Sequence, residues 1–272
     1  MKKSCVFGLI CSALSLFPLQ AQAQCLQLPK SVLFEKLTWT EIAQDISCGF
    51  KTIIIPVGGT EQSGPYIAVG KHNSRVLFQA EKIARQAGRT LVAPVVAYVP
   101  EGGTSPRTSH MRFPGTITLL PDVFERMLSS IAESFRVQGF GLVVLIGDHG
   151  GYQKDMERVA AQLNVRWQNT GARVLYVRAY YDVIPQQYAT WLRQNGYRLD
   201  VGQHADIGDT SLMLAVDPSM VRGEALRHAP NPTMAQGIYG GDPRRATSTL
   251  GQPGLAMQVE AAVKAIDDAR SK

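Results

Sequence analysis

The strongest constraint on this chain is a recurring pairing: short, nearly all-apolar runs, each followed by a stretch with helical spacing. Thr52 to Val57 is a β-branched run that ends in Gly58-Gly59. Thr90 to Val99, Leu142 to Ile146 (closed by Gly147) and Arg173 to Val177 are similar. Runs of this kind read as buried strands. Between and after them, apolar residues recur at three- and four-residue intervals. These are Val76, Leu77, Ala80, Ile83 and Ala84; Phe124, Met127, Leu128, Ile131 and Phe135; and Met156, Val159, Ala160, Leu163 and Trp167. Ile184, Tyr188, Trp191 and Leu192 predict a further helix, and Val259, Ala262, Val263 and Ile266 a last one. Thr38-Trp39-Thr40-Glu41 has the pattern of a capping box ahead of a short helix. Strands alternating with helices predict a parallel sheet covered on both faces. The expected fold is therefore α/β, a single-domain three-layer sandwich with a mostly parallel central sheet. The Gly- and Pro-rich stretch from Arg222 to Gly254 is expected to be a long ordered loop.

The first 23 residues read differently. Lys2 and Lys3 precede an apolar stretch from Val6 to Phe17, and Ala21-Gln22-Ala23 has the small-x-small pattern of a signal-peptidase site. The expectation is a signal peptide over 1–23, a mature domain over 24–272 beginning at Gln24, and export to the periplasm or medium. The apolar stretch is too short to span a bilayer comfortably, so no stable membrane anchor is expected. Export would leave Cys25 and Cys48 as an even pair in an oxidising compartment, which makes them disulfide candidates. The net charge of +6 is lower still without Lys2 and Lys3, and the longest basic run left is Arg244-Arg245. Nothing forms the basic stripe of a nucleic-acid binder.

In sheets of this type ligands bind beyond the carboxyl ends of the strands. That rule selects two loops, Gly58 to Asn73 and Gly147 to Gln153. The first carries Glu61 and His72, and the second carries His149 in Gly147-Asp148-His149-Gly150-Gly151. Two imidazoles and one carboxylate make a complete set of three zinc ligands with a fourth position left for water. His204-Ala205-Asp206-Ile207-Gly208-Asp209-Thr210-Ser211 adds another imidazole and two carboxylates. Each feature alone also fits ordinary structure. The glycines around His149 suit a tight turn, and Asp209-Thr210-Ser211 suits a helix start.

Taken in order, these segments resemble the creatininase (creatinine amidohydrolase) family, from Leu37-Thr38-Trp39 to Ala246-Thr247. The family's Glu-Gln-His-Gly-Pro-His-Leu-Pro-Leu-Gly-Thr-Asp stands here as Glu61-Gln62-Ser63-Gly64-Pro65-Tyr66-Ile67-Ala68-Val69-Gly70-Lys71-His72. Its His-x-x-Phe-Pro-Gly-Thr is His110 to Thr116, and its Asn-Gly-His-Gly-Gly-Asn is Gly147 to Tyr152. Its His-Ala-Gly-Glu-x-Glu-Thr-Ser is His204 to Ser211, and Gly241-Asp242-Pro243 matches a late Gly-Asp-Pro. The resemblance implies a hydrolase with two divalent metals, one Asp bridging both. This chain has Ser63 in place of the metal-binding His and His72 in place of the bridging Asp. A neutral imidazole offers a single lone pair, so the expectation is one ion per chain, held by Glu61, His72 and His149. Nitrogen-rich ligation favours zinc, with manganese the alternative.

By the same resemblance, the expected reaction is cleavage of a C–N bond in a small, non-peptide, cyclic amide. His204 would be the acid for the departing nitrogen, and Asp209 a base or ligand. Ser63, Tyr66, His110, Asp148, Tyr152 and Asp206 would touch substrate or buttress a ligand. The family assembles as homo-oligomers, hexamers among them. Two other readings use the same residues: an inactive member that binds a small molecule, and a lactone or ester hydrolase.

Overall fold

A computed structural model describes Cys25 and residues 29–271. The fold is that of the unit Ser31–Lys272. The expected signal peptide lies outside the described residues. Among the described residues, Cys25 and Cys48 are each disulfide-bonded. No helix there is long and apolar enough to cross a membrane.

The chain opens with helix α1 (Trp39–Ser47). Thr38 caps it through the expected reciprocal box: its hydroxyl accepts from Glu41 N, and the Glu41 carboxylate accepts from Thr38 N at 2.8 Å. Strand β1 (Thr52–Val57), helix α2 (Lys71–Ala87) and strand β2 (Thr90–Val92) follow, then α3 (Pro121–Val137), β3 (Leu142–Gly147), α4 (Gln153–Arg166) and β4 (Arg173–Tyr176). The sheet order is β2-β1-β3-β4, every pair parallel, with Thr52 opposite Leu142 and Val57 opposite Gly147.

Every residue of β1 and β3 is buried, because both sheet faces are covered. Ile53, Ile55, Val57, Val143 and Leu145 pack with Phe124, Leu128 and Phe135 of α3 and Met156 and Val159 of α4. Ile54, Val144 and Ile146 point the other way, onto Val76, Ala80 and Ile83 of α2 and onto Val259, Ala262 and Ile266 near the end of the chain. Each such side chain contributes about 1.5–3 kcal/mol over its exposed state. These two central strands are therefore the main apolar anchor of the carboxyl-end loops.

Three expectations are corrected. β2 stops at Val92 instead of Val99. Ala93 N still donates to Ile54 O, but Pro94 has no N–H to give, and the chain rejoins the sheet only as a single bridge at Val96. The stretch around Ile184 is no simple helix. It runs as α5 (Arg178–Val183), a π turn (Ile184–Tyr188), α6 (Ala189–Leu192) and a second wide turn (Arg193–Tyr197) broken at Asn195 and Gly196. The expected loop from Arg222 to Gly254 contains α8 (Gly223–Arg227) and the first turns of α9 (Ser248–Arg270).

Helix α7 (Ile207–Val216), which carries Asp209, packs directly on α9. At Gly251 an added Cβ would overlap the carbonyl oxygen of Ser211, and at Gly254 it would lie 2.8 Å from Leu212 and 2.9 Å from Tyr188. Only glycine allows the two helices to approach this closely.

Candidate metal centre

The loops that leave the carboxyl ends of β1, β2 and β3 meet at Glu61, which is fully buried. Its Oε1 accepts from His72 Nε2 at 2.8 Å and lies 3.4 Å from Lys71 Nζ and 3.5 Å from His204 Nδ1. Its Oε2 lies 3.1 Å from His110 Nε2 and 3.3 Å from His149 Nε2, yet is aligned for a hydrogen bond with neither. Burial pushes the Glu61 carboxyl up, but His149, Lys71 and His72 hold it well below the usual carboxylate range.

The loop after β2 contributes Glu101, which the sequence reading passed over. Both its oxygens are buried and make no hydrogen bond, and Oε1 lies 3.4 Å from His149 Nδ1. Burial and the neighbouring Glu61 charge push it up to about 9. Glu61, Glu101, His110 and His149 each present one donor atom, and these atoms all lie within 4.8 Å of one another. Buried carboxylate oxygens without hydrogen bonds are costly. Here they face the imidazoles of His110 and His149. Mixed nitrogen and carboxylate donors suit zinc or manganese. The donor set fits a divalent ion.

The expected ligands Glu61 and His149 fall in this cluster, and so does His110. His72 touches the cluster differently. Its Nε2 faces Glu61 and its Nδ1 faces Asp148 Oδ2 at 2.6 Å, so both ring nitrogens are engaged by carboxylates. Asp148 also receives Arg75 Nε at 2.8 Å and the Tyr180 hydroxyl at 3.2 Å. Burial opposes its ionisation, but Arg75 and His72 hold it far below the usual range.

Asp206 caps α7, taking Asp209 N at 2.9 Å and Gly202 N at 2.7 Å. Asp209 itself is divided between two cations: Oδ1 accepts from Arg75 at 3.1 Å and Oδ2 from Lys71 Nζ at 2.7 Å. His204 is buried; its Nε2 donates to the Gln62 carbonyl at 2.9 Å, and burial followed by Lys71 pushes it down to about 3. Burial likewise pushes His149 down to about 4. Both rings are therefore neutral near pH 7. Gln62 Oε1 accepts from Gly64 N, which turns its amide nitrogen toward His110 Nδ1 at 3.1 Å.

Tyr152 supports the loop from below. Its hydroxyl sits between the carbonyls of Val57 and Gly58 and accepts from His149 N at 3.1 Å. Ser63 is buried with no hydrogen bond at Oγ, and Tyr66 packs beside Ile67 and Val221. Neither lines the pocket.

That pocket, about 540 Å³, is lined by His72, His110, Asp148, His149 and His204 together with Tyr181, Ile184, Pro185, Tyr188 and Arg193. A larger cleft of about 1030 Å³ opens at the amino ends of the strands among Lys51, Arg89, Arg173 and Arg270. It holds no His, Cys, Asp or Glu, so the chemistry-bearing groups belong to the smaller pocket. Lys71 and Arg75 were missed by the sequence reading. Their one signal is their place in the first turns of the helix that follows the β1 loop.

The creatininase family model, described as "Creatinine amidohydrolase", matches residues 35–266. The chain is 25% identical over 265 residues to a creatinine amidohydrolase of Pseudomonas putida, covering 88% of this chain and 96% of that protein. It is 27% identical over 208 residues to a 3-dehydro-scyllo-inosose hydrolase of Thermotoga maritima, covering 72% of this chain and 60% of the relative's length. A solved creatininase superposes with a TM-score of 0.72 at 23% identity, covering 88% of this chain and 98% of the other. Two further creatininase structures, at 22% and 21% identity with TM-scores of 0.71 and 0.68, are described as a manganese form and a Zn–Zn type. With the family model matched across nearly the whole described fold and five motifs in order, the chain belongs to the creatininase (creatinine amidohydrolase) family.

Proposed function

We propose that this protein is an exported, metal-dependent hydrolase that cleaves a C–N bond in a small, non-peptide amide, cyclic amides first. The observation that carries this reading is the buried set of Glu61, Glu101, His110 and His149, in which Glu61 Oε2 and both Glu101 oxygens make no hydrogen bond and the two imidazoles also line the pocket. Zinc is the first choice and manganese the second, at one ion per chain.

A divalent ion held there supplies Lewis acidity, which makes a water more acidic and draws electrons from a carbonyl. The chain's own groups do the rest. His204, fixed through its Nε2–H on the Gln62 carbonyl, turns Nδ1 toward Glu61. By the family resemblance it is the group that passes a proton to the departing nitrogen as the C–N bond breaks, the attacking water being the source of that proton. His72 and Asp148 hold the Glu61 carboxylate in place, as partners behind a ligand commonly do. Tyr181, Ile184 and Pro185 line the same pocket and give the substrate an apolar wall.

Elemental analysis of the purified chain is expected to find zinc or manganese. Chelation should abolish turnover of a cyclic-amide panel, and one equivalent of metal should restore it. Turnover that survives complete metal removal would sink the reading, and turnover of lactones alone would move it to esters. Export is part of the same proposal, on Lys2, Lys3, the Val6–Phe17 stretch and Ala21-Gln22-Ala23. The secreted form should begin at Gln24 by amino-terminal sequencing, with Cys25 and Cys48 joined; an uncleaved Met1 would refute it. Assembly into a homo-oligomer is proposed on family grounds alone.

A further inference from the structure

We propose that Lys71 is a built-in cation standing where a second divalent ion would otherwise bind, so that the pocket is limited to one ion. The inference rests on the metal-dependent reading above. It starts from an unusual placement: the Lys71 side chain is fully buried, and its Nζ lies between Asp209 Oδ2 at 2.7 Å and Glu61 Oε1 at 3.4 Å. Glu61 therefore faces two positive positions. Its Oε2 points at the four-residue cluster and its Oε1 at the ammonium. A carboxylate bridging two metal ions would be used in the same way.

The carboxylates nearby leave no room for another ion. Asp209 has one oxygen on Arg75 and the other on Lys71 and the Ala205 amide. Asp148 is taken by Arg75, His72 and Tyr180. Asp206 is spent on two backbone amides at the start of α7.

The test is a metal count on the folded full-length protein. Wild-type protein, stripped and reloaded with zinc or manganese up to millimolar concentration, is expected to bind one ion by calorimetry and elemental analysis. Lys71→Met, which keeps most of the side-chain stem and removes its charge, takes the ammonium away from Asp209 Oδ2 and Glu61 Oε1 and should bind two. Lys71→Met with Asp209→Asn should return to one. Two ions in wild type would overturn the inference and leave the metallohydrolase reading intact. A folded Lys71→Met that stays at one would also overturn it. No ion in wild type would overturn that reading and the inference with it. Should Lys71→Met not fold, the wild-type count and Lys71→Arg, expected at one, still decide.

Discussion

Glu61→Gln is expected to leave the protein folded but unable to hold its metal. The amide preserves the shape of the side chain, so circular dichroism should match wild type. Metal content after dialysis should fall from stoichiometric to background, because the group on which His72, Lys71, His110 and His149 converge loses its charge. Removing a Lewis acid worth several kcal/mol of transition-state stabilisation corresponds to a loss in turnover of about 10³-fold. A Glu61→Gln protein that kept its metal and its activity would show that the centre lies elsewhere.

The largest effect on stability is expected from Arg75→Met. Arg75 is buried and contacts both Asp148 and Asp209. Its removal takes a buried charge partner from each of two buried carboxylates, a change that costs about 3–5 kcal/mol. For a domain of this size that is a fall in Tm of about 6–20 °C. The pH dependence should change as well. In wild type the Asp148 carboxyl is held low by Arg75 and His72. Its stabilising contribution is therefore complete above the ordinary Asp value and is lost only as pH falls toward the depressed folded value. Without the guanidinium the folded value rises, and the variant should lose stability at a higher pH than wild type. Thermal melts from pH 3 to pH 8 (a range about the ordinary Asp value) would show this. A shift of less than a degree would mean that Arg75 is not what balances these carboxylates.

The core of the fold was legible because β1 and β3 are buried on both faces, so their apolar runs are continuous and end at glycines. β2 was overextended because Val95, Val96 and Val99 look like strand residues. The missing N–H of Pro94 ends the strand, and a count of apolar residues does not register it. The start of α9 was hidden by Gly251, Pro253 and Gly254, which read as loop but serve a close helix contact. In the site, loop position was enough to single out Glu61 and His149. His72 was singled out as well, but its partner Asp148 lies 76 residues away, and only the folded chain shows both ring nitrogens occupied. Glu101 looks like an ordinary residue before Gly102-Gly103. Lys71 and Arg75 read as surface cations of a helix, because their acidic partner Asp209 is more than 130 residues further along.

The contact at Gly251 and Gly254 also makes one carboxylate depend on two distant stretches of the sequence. Asp209 is presented by a helix whose outer side is covered by α9, so the pairing of β1 with β3 and the seating of that carboxylate rest on different contacts. A nick within residues 248–270 should therefore leave Lys71 and Arg75 short of their shared counter-charge, and a bulkier residue at Gly251 should weaken metal uptake while the sheet still forms.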